Sequence, residues 1–176
     1  MSDPQSSMLV ILQNTFVLAD LHRRVDLLQQ FLEHSFFTDD PQKKDPVRSI
    51  RAYYAEADED IRQHVEAITA WGPDFFASFN ARDLYEKVKE FKQFIELLPR
   101  ITLYVPVRLA PSRAGSIGSW CRTNIRKDLI LDLKVDPAVV GGCAFAYEHA
   151  FHDLSLPYFL RQKRDDFAKL VRTYAA

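Results

Sequence analysis

The feature that most constrains this chain is a change of hydrophobic period at Pro99. From Leu9 to Leu98 apolar residues recur every three or four positions, and beyond Pro99 they recur every second position. A period near 3.6 buries one stripe of a helix, whereas a period of two buries one face of a strand. The two halves therefore call for different secondary structure. The expectation is an all-α N-terminal helical bundle domain over residues 1–99 and a small α+β domain over 100–176.

In the first half, Leu9, Leu12, Phe16 and Ala19 open a stripe that Leu21, Val25, Leu28, Leu32 and Phe36 continue. Thr38-Asp39-Asp40-Pro41 ends it, and the polar residues through Lys44 read as a loop. Asp45-Pro46 is a helix start, with a side-chain acceptor at the N-cap and proline at the first helical position. Val47, Ile50, Tyr54, Ile61, Val65 and Ile68 follow at helical spacing until Trp71-Gly72-Pro73. After an apolar turn at Phe75-Phe76-Ala77, Asn80 can cap a helix bearing Leu84, Val88, Phe91, Ile95 and Leu98. Each helix has a single apolar face, so none is stable alone and they must pack together.

In the second half, Ile101, Leu103, Val105, Val107 and Leu109 alternate with Thr102, Tyr104, Pro106 and Arg108, the pattern of a strand with one buried face. Pro106 has no N–H to give a ladder, which favours an edge position or the strand's unpaired side. Leu129, Leu131, Leu133 and Val135 alternate with Asp128, Asp132 and Lys134 as a second strand. Between them, Pro111 to Ile125 predicts a helix packing Ala114, Ile117 and Cys121, weakened by about 1 kcal/mol at each of Gly115 and Gly118. Cys143–Tyr147 and Ala150–Asp153 predict a hairpin turning at Glu148-His149. Ser155 then caps a last helix with Pro157 in its first turn and Leu156, Leu160, Phe167, Leu170 and Tyr174 facing inward. The expected order is strand–helix–strand–strand–strand–helix.

The 176 residues are 47% hydrophobic and 27% charged, which excludes a disordered or collagen-like chain. Cys121 and Cys143 are too far apart for a C-x-x-C pair and are expected to be free thiols. No apolar run approaches the ~20 residues of a membrane span, and the polar stretch Met1 to Met8 lacks the pattern of a signal peptide. An intracellular, soluble chain is expected. Its net charge of −1 is unevenly spread. Residues 1–100 hold 12 Lys+Arg against 17 Asp+Glu, a balance of −5, and residues 101–176 hold 11 against 7, a balance of +4. Two units with different partners, weak attraction between the units, and ordinary surface solvation all account for such a split.

Catalytic signatures are missing. There is no G-x-x-x-x-G-K, G-x-G-x-x-G or G-x-S-x-G. Gly141-Gly142 has neither the lysine nor the following helix of a phosphate cradle, and predicts a turn needing positive φ or close backbone approach. His149, His152 and Asp153 are the best metal candidates, yet hairpin parity turns the two imidazoles to opposite faces and no third ligand is evident. His22, His34 and His64 lie among charges on helix faces, as solvated or capping residues do. The carboxylate groups Asp39-Asp40, Asp58-Glu59-Asp60 and Asp165-Asp166 sit in polar stretches with no apolar pocket to raise a pKa. Arg161, Lys163, Arg164, Lys169 and Arg172 make the last helix basic, which suits an acidic protein helix. As a nucleic-acid signature it lacks interleaved aromatics on a strand face. No catalytic, cofactor-binding or metal residue is expected, and no enzyme.

Val135-Asp136-Pro137-Ala138-Val139-Val140-Gly141-Gly142, then an aromatic-rich strand, then Asp153-Leu154-Ser155 and a basic helix, resembles the C-terminal region of the delta subunit of F-type ATP synthases. That family is the bacterial counterpart of the mitochondrial oligomycin-sensitivity-conferring protein. The likeness is specific over about residues 80–173 and architectural before them. Its motif residues here are Asp136, Pro137, Val140, Gly141, Gly142, Asp153 and Ser155. Asp136-Pro137 starts a turn, Val139 and Val140 plug the core, the glycines swing the chain into the hairpin, and Ser155 caps the helix. Glu148-His149 stands where the family has a glycine-containing turn, and Leu156-Pro157-Tyr158-Phe159 replaces its Arg/Gly pattern. Asn80-Ala81-Arg82 is a weak echo of an Asn-Arg-Arg element, and the period predicts fewer, longer helices than the family's six.

The resemblance implies a non-catalytic peripheral-stalk (stator) subunit that couples proton flow to ATP synthesis. The helical domain would grip the N-terminal segments of the alpha subunits of the catalytic head, and the C-terminal domain would bind the end of the b-type stalk subunits. It implies no cofactor, no nucleic acid, no direct membrane insertion, and a peripheral location at the cytoplasmic face of the cell membrane. The alternative is a small nucleic-acid-binding module using the basic C-terminal half.

Overall fold

The computed structural model describes residues 9–38 and 45–174, apart from the side chains of Asp165, Phe167, Leu170 and Tyr174. Helices and a four-stranded mixed sheet make it an α+β chain. It divides into two compact units, Met1–Pro99 and Arg100–Ala176.

Among the described residues the first unit has six helical segments: α1 (9–12), α2 (Leu18–Phe37), α3 (Pro46–Tyr53), α4 (Glu59–Thr69), α5 (Pro73–Ala77) and α6 (Leu84–Leu97). The expected long stripes are therefore broken twice. The first break, at residues 13–17, is made by side chains that draw the backbone out of helical pairing. Arg24 Nη1 donates to the Asn14 carbonyl (2.9 Å), and the Asn14 amide donates to the Ala67 carbonyl (2.7 Å). Ala19 consequently lies exposed. The second break follows Tyr54, whose hydroxyl donates to the Leu27 carbonyl at 2.9 Å. Asp58 restarts the helix by accepting from the Ile61 N–H at 2.9 Å. Tyr54 and Ile61 are seven residues apart, so the apolar register is in phase on both sides and the period cannot reveal the gap.

Asp45 accepts from the Arg48 N–H at 3.1 Å, with Pro46 at the first position of α3. Asn80 does not cap α6. Its Oδ1 accepts from the Arg82 and Asp83 N–H groups (3.0 and 3.2 Å), shaping the turn, while Asp83 occupies the N-cap position without a side-chain cap bond. Leu21, Leu28, Ile50, Ile68, Leu84 and Ile95 are almost fully buried. Each contributes about 1.5–3 kcal/mol by leaving water. Phe75 meets Trp71, Phe76, Phe79 and Phe91 with ring centroids 5.0–5.9 Å apart.

The second unit runs β1 (Arg100–Val105), α7 (Pro111–Asn124), β2 (Ile130–Val135), β3 (Ala144–Tyr147), β4 (Ala150–Asp153), α8 (Leu156–Gln162) and α9 (Arg164–Tyr174). The sheet order is β2-β1-β3-β4, with β1 and β2 parallel and the other pairs antiparallel. Joining parallel neighbours requires a crossover, which α7 supplies. β1 is thus an interior strand, and Pro106 lies just past its end instead of marking an edge. With no N–H it ends the ladder, and Val107 points to solvent at 63% exposure. β2 does not alternate as expected. Leu129, Ile130 and Leu131 are all buried while Val135 is exposed, so burial follows position along the strand. Glu148 (φ 46°) and His149 (φ 68°) form the hairpin turn in two consecutive left-handed positions, as a two-residue hairpin needs.

The terminal helix is two helices, separated at Lys163. Leu156 and Leu160 are exposed, contrary to the inward stripe expected of them; the expected inward positions Phe167, Leu170 and Tyr174 lie outside the described side chains. Ser155 occupies the N-cap position and is buried, but its hydroxyl makes no cap bond.

Candidate docking surface

The motif segments 136–142 and 153–156 are brought together as a clasp. Asp136 donates its N–H to the Val105 carbonyl (2.8 Å), and its Oδ1 accepts from the Ala138 N–H (2.9 Å). The carboxylate thereby closes an Asx turn with Pro137 exposed at its tip. Val139 is buried; Val140 is 54% exposed, so only the first of the pair plugs the core. The Leu156 N–H is shared between the Val140 and Gly141 carbonyls (3.0 and 2.9 Å), and the Leu154 N–H reaches the Cys143 carbonyl (2.9 Å). Gly141 (φ 62°) and Gly142 (φ 143°) adopt backbone open mainly to glycine. A Cβ on Gly142 would lie 2.3 Å from the Leu154 carbonyl oxygen. Across the clasp, Asp153 Oδ1 accepts from the Ser155 N–H at 2.9 Å. Hydrogen bonding from Ser155 holds the Asp153 carboxyl below the usual carboxylate range. The motif residues are thus structural: they fix the β2–β3 connection against the start of α8.

Five apolar side chains surround or follow this clasp, and all are 38–54% exposed: Val140, Leu154, Leu156, Phe159 and Leu160. Farther on, Leu160, Arg164, Ala168, Val171 and Arg172 line a groove of about 500 Å³ between α8 and α9. Of the five exposed side chains only Leu160 lines this groove.

The metal candidates are separated. His149 sits in the turn, and the His152 ring stacks on Phe145 across the hairpin at 4.7 Å. Among the described residues no group of three or more His, Cys, Asp or Glu is positioned to hold a metal ion. Asp58 caps α4, Glu59 pairs with Arg62 (2.7 Å), and Asp60 lies 3.9 Å from His64. Asp166 pairs with Lys163 at 3.7 Å, while Asp39-Asp40 and the Asp165 side chain lie outside the described residues. Cys121 and Cys143 are free thiols, and burial pushes the Cys121 thiol up.

Two features escaped the sequence pattern. Register aligns Thr102 with Ala146 and Ala146 with Phe151, so Tyr104 meets Phe151 edge-on at 6.0 Å on one sheet face. Phe151 is 62% exposed there. Strand pairing alone creates this aromatic pair, and no local spacing signals it. The second feature is a polar knot in the helical unit. Arg24 Nη1 reaches Thr15 Oγ1 at 2.5 Å, and Trp71 Nε1 donates to Asn14 Oδ1 at 3.0 Å. Desolvation keeps the pKa of Arg24 below its ordinary value and lowers that of His64. The same unit has a shallow groove of about 600 Å³ between α2 and α6, bordered by His22, Tyr85, Val88 and Glu96. It is bridged by Lys92, which pairs with Asp26 at 2.9 Å.

No helix among the described residues is long and apolar enough to cross a membrane. Neither a protein-family model nor a curated protein sequence matches the chain.

Proposed function

We propose that this chain is a non-catalytic peripheral-stalk subunit of an F-type ATP synthase, a divergent delta-type stator. The observation that carries the reading is the clasp: the two stretches at which the sequence resembles that family, Asp136–Gly142 and Asp153–Ser155, are held side by side by hydrogen bonds from the Leu156 N–H to the Val140 and Gly141 carbonyls and from the Leu154 N–H to the Cys143 carbonyl. Among the described residues the first unit has six helical segments, the number in the family's helical domain. In this reading the second unit has the family's order of strand, helix, three strands and terminal helix, with the last helix divided. The helical unit grips the N-terminal segments of the alpha subunits of the head. The second unit binds the end of the b-type stalk subunits. Holding the head against rotor torque lets proton flow do work at the nucleotide sites, and the protein sits peripherally at the cytoplasmic face of the membrane. Each interface of this kind buries on the order of 800 Å² per partner.

The test is an affinity pull-down of the tagged full chain from detergent-solubilised membranes of its host, with the bound proteins identified by mass. Recovery of alpha, beta and b-type subunits supports the reading. A clean pull-down without them, at a salt that leaves the synthase intact, overturns it.

The Tyr104–Phe151 pair on the sheet of the basic half favours a second reading, a small nucleic-acid-binding module that stacks bases on the exposed ring. It requires RNA or single-stranded DNA retention at ~50 mM salt that falls steeply as counterions are added. No retention at that salt removes it.

A further inference from the structure

We propose that the groove between α8 and α9 is a docking site for an amphipathic helix with acidic flanks. Leu160, Ala168 and Val171 supply an apolar floor, and Arg164 and Arg172 stand beside it. Leu160 and Val171 are 38% and 54% exposed, so the floor is open to a partner. From Leu156 to Tyr174 the chain holds five cations, Arg161, Lys163, Arg164, Lys169 and Arg172, against the two acids Asp165 and Asp166. Lys163 is engaged with Asp166, and Arg161 Nε donates to the Pro157 carbonyl at 3.2 Å. Arg164 and Arg172 have no ion-pair partner among the described residues.

Geometry narrows the occupant. Arg164 and Arg172 are eight positions apart on one helix, about 12 Å along its axis at 1.5 Å per residue. A helix laid in the groove with Leu or Ile at i, i+3 or i+4, and i+7 covers the floor. Carboxylates about two turns apart on its flank then meet both guanidinium groups, which bind carboxylates in a planar fork. An anionic membrane surface is the poorer match, because Asp165-Asp166 interrupt the basic run. The acidic half of a second copy is a poorer match too, since its helices bury their apolar faces in their own core.

The experiment measures fluorescence anisotropy of a designed peptide of about 18 residues, long enough to form several turns on the surface, with Leu at groove spacing and Glu on its flanks. A sibling peptide replaces every Glu by Lys. With the full chain at ~50 mM salt, the Glu peptide binds about tenfold tighter than the Lys peptide. Arg164→Glu/Arg172→Glu reverses that preference, and Val171→Asp weakens both peptides, with circular dichroism confirming that each variant is folded. Equal binding of the two peptides, no binding of either, or an unchanged preference in the double variant overturns the proposal. Retention on phosphatidylserine vesicles without peptide discrimination overturns it in favour of a membrane surface. Dimerisation in sedimentation that Val171→Asp abolishes overturns it in favour of a second copy. The groove and the stator reading fail separately. Peptide binding without synthase recovery leaves the groove standing, and synthase recovery without peptide discrimination leaves only the stator.

Discussion

Replacing Gly142 by alanine tests the clasp directly. The added Cβ would stand 2.3 Å from the Leu154 carbonyl oxygen and 3.2 Å from both Leu154 C and Ser155 Cα. All three are backbone atoms of the segment that starts α8, so no side chain can rotate away. Ordinary contact requires that segment to retreat by roughly 1 Å. The residue also sits at φ 143°, where an L side chain is strained. The backbone strain costs about 1–2 kcal/mol and the forced overlap about 1–3 kcal/mol, so Gly142→Ala should lose about 2–5 kcal/mol. That is a large part of the ~5–15 kcal/mol typical of a domain. Gly141→Ala is the internal comparison. At φ 62° its Cβ would stand 3.1 Å from the Leu156 Cβ, an overlap far smaller than the 2.3 Å approach at Gly142, so the cost is mainly backbone strain, about 1–2 kcal/mol. Gly115→Ala in α7 meets nothing within 4 Å and should gain up to about 1 kcal/mol. Urea denaturation of the full chain, followed by circular dichroism and by the fluorescence of Trp120 in the second unit, ranks the three. A Gly142→Ala variant within about 0.5 kcal/mol of wild type, or no worse than Gly141→Ala, would refute the reasoning.

Asn14→Ala removes the acceptor of the Trp71 indole and the donor to the Ala67 carbonyl, and should destabilise by about 2–4 kcal/mol. Trp71→Phe should then cost less in the Asn14→Ala background than in wild type, because the bond is already gone, and a double-mutant cycle by urea denaturation reads that coupling. His64 should make stability depend on pH. Burial lowers its pKa from 6.5, with Asp20 and Asp60 opposing and Arg24 and Arg23 reinforcing the shift. The unfolded chain therefore takes up the proton at higher pH than the folded one. Stability should be full above about 6.5 and decline as pH falls below that value towards the folded pKa. Denaturation midpoints at pH 7.5 and 5.5 should differ less in His64→Gln than in wild type, and equal differences would exclude His64 as the cause.

What could be read from the sequence was local. Asp45-Pro46 starts α3 because a carboxylate and a proline at those two positions satisfy a helix terminus whatever surrounds them. Gly141-Gly142 turns the chain at positive φ because few other residues can. The helical period before Pro99 and the alternation after it announce helices in one half and strands in the other, since each regular structure repeats its buried face at its own interval.

Elements that depend on distant partners were not legible. α1 and α2 part because Asn14 bonds Ala67, more than fifty residues away, and α3 ends near the Tyr54 hydroxyl that seeks Leu27. β1 is interior, and Tyr104 meets Phe151, only because the strands pair in the order β2-β1-β3-β4. The clasp and the groove divide in the same way. Asp136, Gly141 and Gly142 could be named in advance because each has a backbone role of its own in a turn, whereas Val140 and Ser155, expected to plug the core and to cap α8, do neither with their side chains. The exposure of Val140, Leu156 and Leu160 could not be named in advance, because an apolar side chain records its preference for burial and not whether its own chain supplies a surface to bury it. By itself the sequence determined where helices give way to strands and where the backbone must turn. Only the tertiary structure decided which apolar faces are used up inside the chain and which are left exposed.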